Sequence, residues 1–541
     1  MPFKYILKNR KGEVKMLRKV FVFMLVLSLV VGMLAGCSSP AEEETPEEST
    51  EEASMEETEE EATEEGEEAV EVQTDIAIAL NSDITSLDPQ GHNDTKSEAV
   101  SFLLFNRLFR LNTDFEYVPD LAESWEQPSD TEWVIKIKEG VMFHNGNEMT
   151  SEDVKFSLER SIEQPKVEHV LAEVESIEIV DDYTVKITTK TAFAPFLYSL
   201  VHAGASILPK EYVESGDEFK NPIGSGPYTF VEWVSGDKVV VKKNPDYFDA
   251  DNMGQSEMIT FRVIPEGASR TIALETGEVD VVQELATMDM NKVEDADDLK
   301  LYEKASTRVD FFAMNNEKEP FTNQKVRQAM NYAINKDAIM TVAIEGAGEE
   351  AKSVLAPSML GYKASDYEYN VEKAKELLAE AGYPDGFSTT ITTSGDDRKR
   401  IAEIIQANLM EVGITTEIDM LEWGTFIDMA MEGGHETLIL GWTSNPDPDA
   451  TLTPLYYSGN IGGFNFSRID DPKVDELIIS AREELDLEER KAIYNEFHEY
   501  IMDQAPIVPL FVKNNVVGAN AGLKGVELSP QGLWNIEKIH Y

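Results

Sequence analysis

The sequence predicts an α/β fold of two or more lobes, preceded by an export signal and a charged tether. The part of the chain after about residue 72 is too long for a single compact core. Segments of strand and helix character alternate along it, as they do in α/β proteins. An apolar run at 20–31 follows Arg18 and Lys19, and small residues come after it. This order of basic, apolar and small residues is typical of a secretory signal.

Cys37 is the only cysteine in the chain, and it directly follows the small residues Ala35 and Gly36. This ending resembles the lipobox of bacterial lipoproteins. The resemblance implies that residues 1–36 are a cleaved signal peptide and that Cys37 carries the lipid at the mature amino terminus. The expected location is the outer face of the cell membrane, or its periplasmic side where an outer membrane is present. An uncleaved membrane anchor with an incidental cysteine is the alternative interpretation.

Residues 37–74 are predicted to be a disordered tether. They hold 17 glutamates and no lysine, arginine or aspartate between 41 and 71. Such a segment has too little apolar surface to offset its ordering entropy, and its like charges repel each other. The whole chain has a formal charge of −55, and most of it lies beyond the tether. So acidic a body is a poor partner for nucleic acid or for an anionic membrane surface.

Caps and apolar periodicity predict the main elements of the body. Alternating apolar and polar residues favour half-buried strands at 133–138 and 183–188. Further strands are expected at 415–419 and 507–512. Helices are predicted, from their capping residues and apolar stripes, at 150–162, 323–344, 371–381 and 400–412. The alternation of helix and strand in the second half predicts a mostly parallel sheet there.

No catalytic signature stands out. The chain lacks H-E-x-x-H, a Walker loop and G-x-S-x-G, and its 7 histidines are scattered. Ser225 lies in a Gly-Ser-Gly-Pro run that is typical of a tight turn before a strand. The run 445–449 begins like a calcium loop. However, Ala450 and Tyr456 replace the required glycine and glutamate, so a proline-stiffened turn is expected. We expect no enzyme activity, cofactor or metal site.

Trp442 stands just before this turn and has two possible roles. It can belong to the hydrophobic core, or it can present a flat face to a ligand. The residues alone leave both roles open.

Several blocks in fixed order resemble the extracellular solute-binding proteins of family 5, the peptide and nickel binders of ABC importers. The resemblance extends over nearly all of 75–541, and the blocks that carry it are 121–126, 138–146, 152–154, 221–228, 321–330 and 333–336. It implies a two-lobed periplasmic-binding-protein-like fold of type II, with an extra small domain in the first lobe. His144 and Trp125 are then expected to be structural residues.

By this resemblance, the first lobe covers 75–309 and 515–541, with the small domain at about 112–198. The second lobe covers 310–514. Two chain crossings, near Asp310 and Lys513, are expected to form the hinge between the lobes.

The resemblance also suggests where a ligand binds. In the peptide-binding members, the Gly-Trp pair of the turn is followed, after two further residues, by an aspartate that pairs with the α-ammonium of the peptide. This chain has Asn445 there, which accepts a hydrogen bond but carries no charge, and Asp447 is the alternative if the turn is remodelled. Trp442 is expected to wall the cleft. The segment 88–94 is expected to face it, and its candidate ligand contacts are Gln90, Asn93 and Asp94.

The implied function is capture of a small solute between two lobes and its delivery to the permease subunits of an ABC importer. A short peptide, either a di- or oligopeptide or a glutathione-like compound, is the expected solute. A nickel or metallophore complex, or another small solute, is the alternative ligand. A surface peptidase is disfavoured, and a signalling receptor on the same fold cannot be separated from a transport receptor. We expect a monomer attached to the membrane only by its lipid.

Overall fold

The computed structural model describes residues 75–113, 115–250 and 253–541, which belong to one compact unit. The predicted signal peptide, the tether and Cys37 lie outside the described residues. Within these ranges, no helix has both the length and the apolar character that a membrane crossing requires.

Nineteen strands form the sheets of the described chain. They are β1 Asp75–Leu80, β2 Phe109–Leu111, β3 Tyr117–Pro119, β4 Ala122–Ser129, β5 Glu132–Ile137, β6 Val174–Asp181, β7 Thr184–Thr189, β8 Tyr228–Val234, β9 Lys238–Lys243, β10 Met258–Val263, β11 Val281–Gln283, β12 Leu299–Met314, β13 Gly348–Glu350, β14 Ser388–Thr393, β15 Thr415–Met420, β16 Thr437–Thr443, β17 Ile507–Asn520, β18 Glu527–Ser529 and β19 Gly532–Trp534.

Fourteen α-helices pack on these sheets in the same described ranges. They are α1 Thr95–Leu104, α2 Ser151–Glu163, α3 Phe196–Ser199, α4 Lys210–Glu214, α5 Gly267–Glu275, α6 Met290–Glu294, α7 Gln324–Ala333, α8 Lys336–Val342, α9 Val371–Glu380, α10 Asp396–Glu411, α11 Trp423–Met431, α12 Asp449–Tyr456, α13 Pro472–Glu483 and α14 Leu487–Gln504.

One sheet of eleven strands runs through the molecule. Its order is β15-β14-β16-β12-β17-β11-β1-β10-β9-β8, and β13 pairs with β17 off this path. The two long central strands, β12 and β17, pair antiparallel over most of their length. The amino-terminal half of β12 pairs with the part of β17 that also pairs with β11, and its carboxyl-terminal half pairs with β16. Strands and helices therefore build an α/β fold, as the sequence predicts.

The pairing of β12 with β17 is interrupted between the two halves of the sheet. Leu299 to Ala305 pair in register with Asn520 to Asn514, and pairing resumes at Val309 with Val512. The expected crossing points, Asp310 and Lys513, lie in these two strands. The interruption leaves a short stretch without regular ladder bonds, which is where two paired strands bend most easily. The lobe boundaries proposed from the resemblance remain predictions.

A second, four-stranded antiparallel sheet has the order β4-β5-β7-β6. Two of its strands, Glu132–Ile137 and Thr184–Thr189, confirm the strands predicted at 133–138 and 183–188. Its buried face forms a core of its own that includes Trp133, Ile135 and Val185. This sheet lies within the range 112–198 expected for the small domain, whose exact bounds also remain a prediction.

Three of the four predicted helices are confirmed. Thr150 and Asp153 form the expected capping box of α2. Asn370 caps α9 through the backbone N–H of Lys373. The predicted helix at 400–412 is the larger part of α10.

The prediction of one helix over 323–344 is wrong, because that segment forms two helices. The backbone at Ile334 is extended, and the side chain of Asn335 accepts a hydrogen bond from the N–H of Ala338 at the start of α8. An asparagine at this position satisfies a free backbone donor, so it begins a new helix rather than continuing the old one.

The expected mostly parallel sheet in the second half is also corrected. In this half of the sheet, β14 runs parallel to both of its neighbours, β15 and β16. The partners of β12 are both antiparallel. The sheet is therefore mixed, because β12 and β17 cross between the lobes in opposite directions.

The run Gly224-Ser225-Gly226-Pro227 forms the expected turn before β8. A Cβ atom on Gly224 or Gly226 would collide with backbone oxygens at the end of α1. Ser225 is buried and donates a hydrogen bond to Asn106. Both glycines are needed for this close approach of two backbones, and the serine is not presented as a nucleophile.

Buried histidines should make the fold sensitive to mild acid. His435 and His498 are fully enclosed, and desolvation lowers the pKa of each to about 4 from an ordinary value of 6.5. Below pH 6.5 the unfolded chain binds protons that the folded chain excludes, so the free energy of unfolding falls as the pH falls. We expect a loss of about 2 kcal/mol per histidine between pH 7.5 and pH 5.

Urea unfolding of the wild type and of His498→Gln across this pH range measures the effect. Glutamine retains a polar partner for Ser353, which lies 3.0 Å from the His498 ring. The free energy of unfolding of His498→Gln should fall less steeply with decreasing pH than that of the wild type. An identical pH slope in both proteins would show that His498 does not stay neutral in the folded state.

Candidate functional site

A cavity of about 1330 Å³ opens where the central strands pass from one half of the large sheet to the other. Its lining comes from several separate parts of the chain, including the start of α1, the middle of β12, the start of α10, the end of β16 and the centre of β17. The lining residues that matter below are Asn93, Asp94, Glu98, His202, Gln283, Arg308, Arg398, Trp442, Asn445 and Lys513.

Asn93 and Asp94 lie on the first wall of the cavity, and their contact with a ligand stays a prediction. Asp94 caps α1, and its carboxylate accepts hydrogen bonds from the N–H of Ser97 at 2.9 Å and the hydroxyl of Thr85 at 2.6 Å. Asn93 is exposed, and its Oδ1 lies 3.3 Å from the ring of His202. Asp94 is thus already bonded to the protein, whereas Asn93 has free polar groups facing the cavity.

His202 is held as a neutral ring. Its Nδ1 accepts a hydrogen bond from the N–H of Gly204 at 2.9 Å, which leaves the proton on Nε2 to face Asn93. Desolvation, together with the nearby His169 and His92, lowers the pKa of His202 to about 3. This ring is therefore a hydrogen-bonding group at physiological pH and carries no charge.

Glu98 is a carboxylate whose charge is poorly compensated. Burial in the cleft raises its pKa to about 7, although Arg107 and a hydrogen bond from the N–H of Ala203 act in the opposite direction. Among the described residues, Glu98 forms no ion pair within 4 Å. A positive group placed beside it would stabilise its ionised form.

The opposite wall is built around a bidentate ion pair. Arg308 donates from Nε to Asp310 at 2.7 Å and from Nη2 at 3.0 Å. Gly441 lies directly against this pair, and a Cβ atom there would collide with the guanidinium and the carboxylate. A glycine is therefore required at position 441, because any larger residue on this strand would occupy the space of the ion pair on the adjacent strand.

Arg398 and Lys513 add positive charge to the same wall. The Nε of Arg398 is buried and has no hydrogen-bond partner among the described residues, while Nη1 donates to the carbonyl of Ser394 at 3.3 Å. Its guanidinium lies 5.5 Å from the ring centre of Trp423. Desolvation lowers the pKa of Arg398 below its ordinary value, although the group remains charged.

The cavity is much less acidic than the rest of the protein. Five lysines and arginines line it against six aspartates and glutamates, whereas the whole chain has 47 against 102. Several of the acidic groups are already paired, such as Asp310 with Arg308 and Glu284 with Lys96. A solute with a negative group therefore meets a cationic wall within an acidic molecule.

Trp442 packs on the core and also lines the cavity, and its contact with a ligand stays a prediction. Its indole N–H donates to the carbonyl of Ala450 at 3.1 Å, and one side packs against the second-lobe core. The ring also lies 5.4 Å from that of Phe464, and both residues line the cavity. Trp442 is thus half-buried, fixed in orientation and available as an apolar surface.

The structure separates the two candidates for recognition of an amine. Asn445 lines the cavity. Asp447 is 3 % exposed and accepts two hydrogen bonds from Arg490, at 2.6 and 2.8 Å. Arg490 also donates to Tyr494 at 2.7 Å. A ligand role for Asp447 remains a prediction, and it would require this buried ion pair to open.

Gln90 also lies away from the cavity lining. It is fully buried, and its amide nitrogen donates to the carbonyls of Ser157 and Gly204 at 2.8 and 3.1 Å. Its carbonyl accepts a hydrogen bond from Arg160 at 2.6 Å. These bonds join the segment 88–94 to α2, so in this structure Gln90 supports the wall without facing the solute.

Sequence reasoning missed the cationic wall. Arg308 and Arg398 lie in unremarkable strand and helix contexts, and no motif marks them. The sequence offered one indirect signal for this wall. The family resemblance places a chain crossing near Asp310, and Arg308 lies two residues before it. Among the described residues, no group of three or more histidine, cysteine or acidic side chains is arranged to hold a metal ion.

Two curated relatives match most of the chain. It is 32% identical to heme-binding protein A of Haemophilus influenzae, over 81% of this chain and 87% of the relative. It is also 32% identical to the glutathione-binding protein GsiB of Pectobacterium atrosepticum, over 86% of this chain and 93% of the relative. Both relatives exceed the similarity at which a common family is secure.

Solved structures give the same result. The protein DppA of Helicobacter pylori, in complex with the peptide STSA, superposes with a TM-score of 0.73 at 30% identity, over 87% of this chain and 98% of that chain. HbpA2 of Haemophilus parasuis superposes with a TM-score of 0.79 at 30% identity, over 86% of this chain and 99% of that chain. These superpositions confirm the expected two-lobed, periplasmic-binding-protein-like fold.

The family model described as bacterial extracellular solute-binding proteins, family 5 Middle, matches residues 116–463. This match agrees with the relatives and with the resemblance drawn from the sequence blocks. Members of this family bind solutes for ABC transporters and are not enzymes. The chain belongs to the extracellular solute-binding proteins of family 5.

Proposed function

We propose that this protein is the receptor of an ABC importer and captures a short peptide, or a small solute of similar chemistry, between its lobes. The observation that carries this proposal is the cavity of about 1330 Å³, which has one aromatic surface and one cationic wall. Its volume exceeds that of a typical small-molecule pocket and leaves room for a ligand of several residues.

The charges around the cavity suit a zwitterionic ligand. Arg398 and Lys513 lie on one wall without an ion-pair partner among the described residues, and they can attract a carboxylate. Glu98 on the other wall forms no ion pair within 4 Å among the described residues, although Arg107 is near enough to lower its pKa. Trp442 and Phe464 offer an apolar surface to the part between the charged ends. A peptide has this order of charged, apolar and charged groups.

Two of the three histidines that line the cavity have ring nitrogens that already contact the protein. His202 uses one ring nitrogen to accept from Gly204, and its other nitrogen faces Asn93. The Nε2 of His92 lies 3.0 Å from the hydroxyl of Ser101. Coordination by either of these rings would break these contacts. His169 is the third histidine of the lining, and among the described residues no group of three or more histidine, cysteine or acidic side chains is placed to hold a metal ion with it, which favours a peptide over a metal complex or heme.

Cys37 and the acidic segment after it complete the proposal. We place a lipid on the Cys37 thiol and the tether 38–74 between that lipid and the folded body. A single anchor of this kind holds a monomeric receptor near the permease while charge repulsion keeps the tether extended.

The ligand should remain bound during gentle purification, and Trp442 should contribute strongly to its affinity. Trp442→Ala is expected to weaken binding by roughly 2–4 kcal/mol, as truncation of a buried aromatic contact does. Native mass spectrometry identifies the bound mass, and titration calorimetry with that compound measures the loss.

Trp125→Ala is the matched control, because Trp125 is partly exposed on the small sheet and does not line the cavity. It should leave the affinity unchanged. If both tryptophan variants bound the ligand as the wild type does, the cavity would not be the binding site. Recovery of cleaved peptides from an incubated mixture would instead indicate a peptidase.

Asn445→Asp should tighten the binding of peptides with a free amino terminus, by about tenfold relative to their acetylated forms. The reason is that it restores a carboxylate at a position that lines the cavity, and a charge-assisted hydrogen bond is stronger than a neutral one. Calorimetry with each peptide and its acetylated counterpart gives the ratio.

Asp447→Asn should instead lower the melting temperature, because it leaves Arg490 buried and unpaired at a cost of about 3–5 kcal/mol. It should not change the ratio of affinities. Collapse of that ratio in a stable Asp447→Asn protein would show that Asp447 contacts the amine and that the turn rearranges on binding.

Replacing Cys37 by serine should remove the lipid and release the protein into the medium or leave its signal uncleaved. Fractionation of cells that express the wild type or Cys37→Ser, with mass measurement of the amino-terminal peptide, tests this expectation. A serine variant that is normally cleaved and remains at the membrane would contradict the proposed anchor.

A further inference from the structure

The hydroxyl of Thr307 bonds across the interrupted segment of β12. By the register of β12 with β16, Thr307 lies opposite Ser444, one residue beyond the last ladder pair, Arg308 with Thr443. Its hydroxyl donates to the carbonyl of Ser444 at 2.8 Å, so a side chain continues the contact where the backbone ladder has ended. Thr307 is 1 % exposed and Ser444 is 2 % exposed. Without this hydroxyl, the buried carbonyl of Ser444 would lose its donor.

The backbone N–H of Thr307 bonds to a different part of the chain. It donates to the carbonyl of Pro530, at 3.1 Å, in the connection between β18 and β19. The side-chain amide of Asn515, on β17, donates to the same carbonyl at 3.0 Å. One carbonyl thus accepts hydrogen bonds from both long strands beside the break in their pairing. We call Thr307, Ser444, Asn515 and Pro530 the clasp.

The clasp joins two loops that both line the cavity. Residues 530–532 line it from the hairpin of β18 and β19, and residues 443–445 line it from the end of β16. These loops are far apart in the chain, yet Thr307 bonds to both, through its N–H and through its hydroxyl. A change in the angle between β12 and β17 at the break therefore acts on both loops through one residue.

The turn that the clasp holds includes two of the expected ligand contacts. Ser444 lies between Trp442 and Asn445 in the chain, and its hydroxyl donates to the carbonyl of Asn445 at 2.7 Å. The indole N–H of Trp442 is bonded separately, to the carbonyl of Ala450. The bond from Thr307 thus fixes the backbone between the aromatic surface and the candidate for amine recognition.

We infer that Thr307 is a positioning residue, which couples the bend between β12 and β17 to the orientation of the turn 442–445. The inference rests on the proposed function, because it concerns how that cleft prepares its binding surface. Thr307 is not part of the cavity lining, so its effect on binding is indirect. A turn that is already held in place loses less conformational entropy when a solute binds, and this raises the affinity.

A purely structural role for Thr307 predicts a different result. Loss of the hydroxyl would then lower the stability of the protein without moving the turn or changing the affinity. Thr437 provides a matched control at the opposite end of β16. It is buried, its hydroxyl donates to the carbonyl of Thr390, also at 2.8 Å, and it does not line the cavity. Thr437→Val therefore removes an equivalent bond away from the turn.

Fluorine NMR of the full chain in detergent, labelled with 5-fluorotryptophan, reports on the turn without any ligand. The resonance of Trp442 is assigned by its loss in Trp442→Phe. Thr307→Val should shift or broaden this resonance, because the carbonyl of Ser444 loses its donor. Thr307→Ser keeps the hydroxyl and should show the wild-type resonance. Thr437→Val should leave the resonance unchanged.

Asn515→Ala tests the coupling between the hairpin and the turn. It removes the bond from β17 to Pro530 and should shift the Trp442 resonance. In the Thr307→Val background its effect should be much smaller, since the connection to the turn is then already lost. Asn514→Ala is the control, because the side chain of Asn514 donates to Glu303 on β12 instead. The comparison of Asn515→Ala with Asn514→Ala stands if Thr307→Val does not fold.

Calorimetric titration with glutathione and with trialanine measures the consequence for binding. For a probe that the wild type binds, Thr307→Val should weaken the affinity about tenfold, as loss of one hydrogen bond does. Thr307→Ser and Thr437→Val should bind as the wild type does. Melting temperatures of Thr307→Val and Thr437→Val show that the two variants lose comparable stability.

A Trp442 resonance that is unchanged in both Thr307→Val and Asn515→Ala would overturn the inference. A response to Thr437→Val or to Asn514→Ala as large as that of its counterpart would overturn it as well, and so would equal affinities of the wild type and Thr307→Val. If neither probe bound the wild type, the peptide class in the proposed function would fall, and the fluorine spectra alone would decide the role of Thr307.

Discussion

The antiparallel pairing of β12 with β17 is the interaction on which the rest of this structure depends. These strands lie at the centre of the eleven-stranded sheet, and each contributes to both of its halves. Their ladder is broken between Ala305 and Val309. Backbone hydrogen bonds hold the halves together on either side of the break, and the break itself is where they can change their angle. The cavity opens at this point, so the join between the two halves of the sheet also lines the candidate site.

The charges of the cleft follow from the same geometry. Arg308 and Asp310 lie on one face of β12 just beyond the break, and Gly441 on the neighbouring strand leaves room for their ion pair. Lys513 lies on β17, beside them in the sheet. A molecule with a strongly acidic exterior thus keeps a cationic wall inside its cleft. In such a site, a carboxylate ligand is attracted locally even though the protein as a whole repels anions.

The turn after Trp442 shows how one position can change the chemistry of a family site. Asn445 occupies the place where the peptide-binding relatives are expected to have an aspartate, and Asp447 is already bound to Arg490. Neither therefore provides a free carboxylate to the cleft. Glu98, on the opposite wall and beside Arg107, has the unpaired charge instead.

Local chemistry determined much of this protein from sequence alone: the capped helices after Thr150 and Asn370, the alternating strands of the small sheet, and the family. These features depend on residues that are close together in the chain, so the sequence alone predicts them. Two predictions were wrong for the same reason: the single helix over 323–344 and the mostly parallel sheet. Apolar periodicity shows neither the helix cap at Asn335 nor the direction in which two strands pair. Only the tertiary structure decided the site. It enclosed Gln90 and Asp447, gave Trp442 one face in the core and one in the cleft, and bonded Thr307 to both Ser444 and Pro530. Residues so far apart in the chain meet only through folding, because burial and charge pairing depend on which distant groups become neighbours.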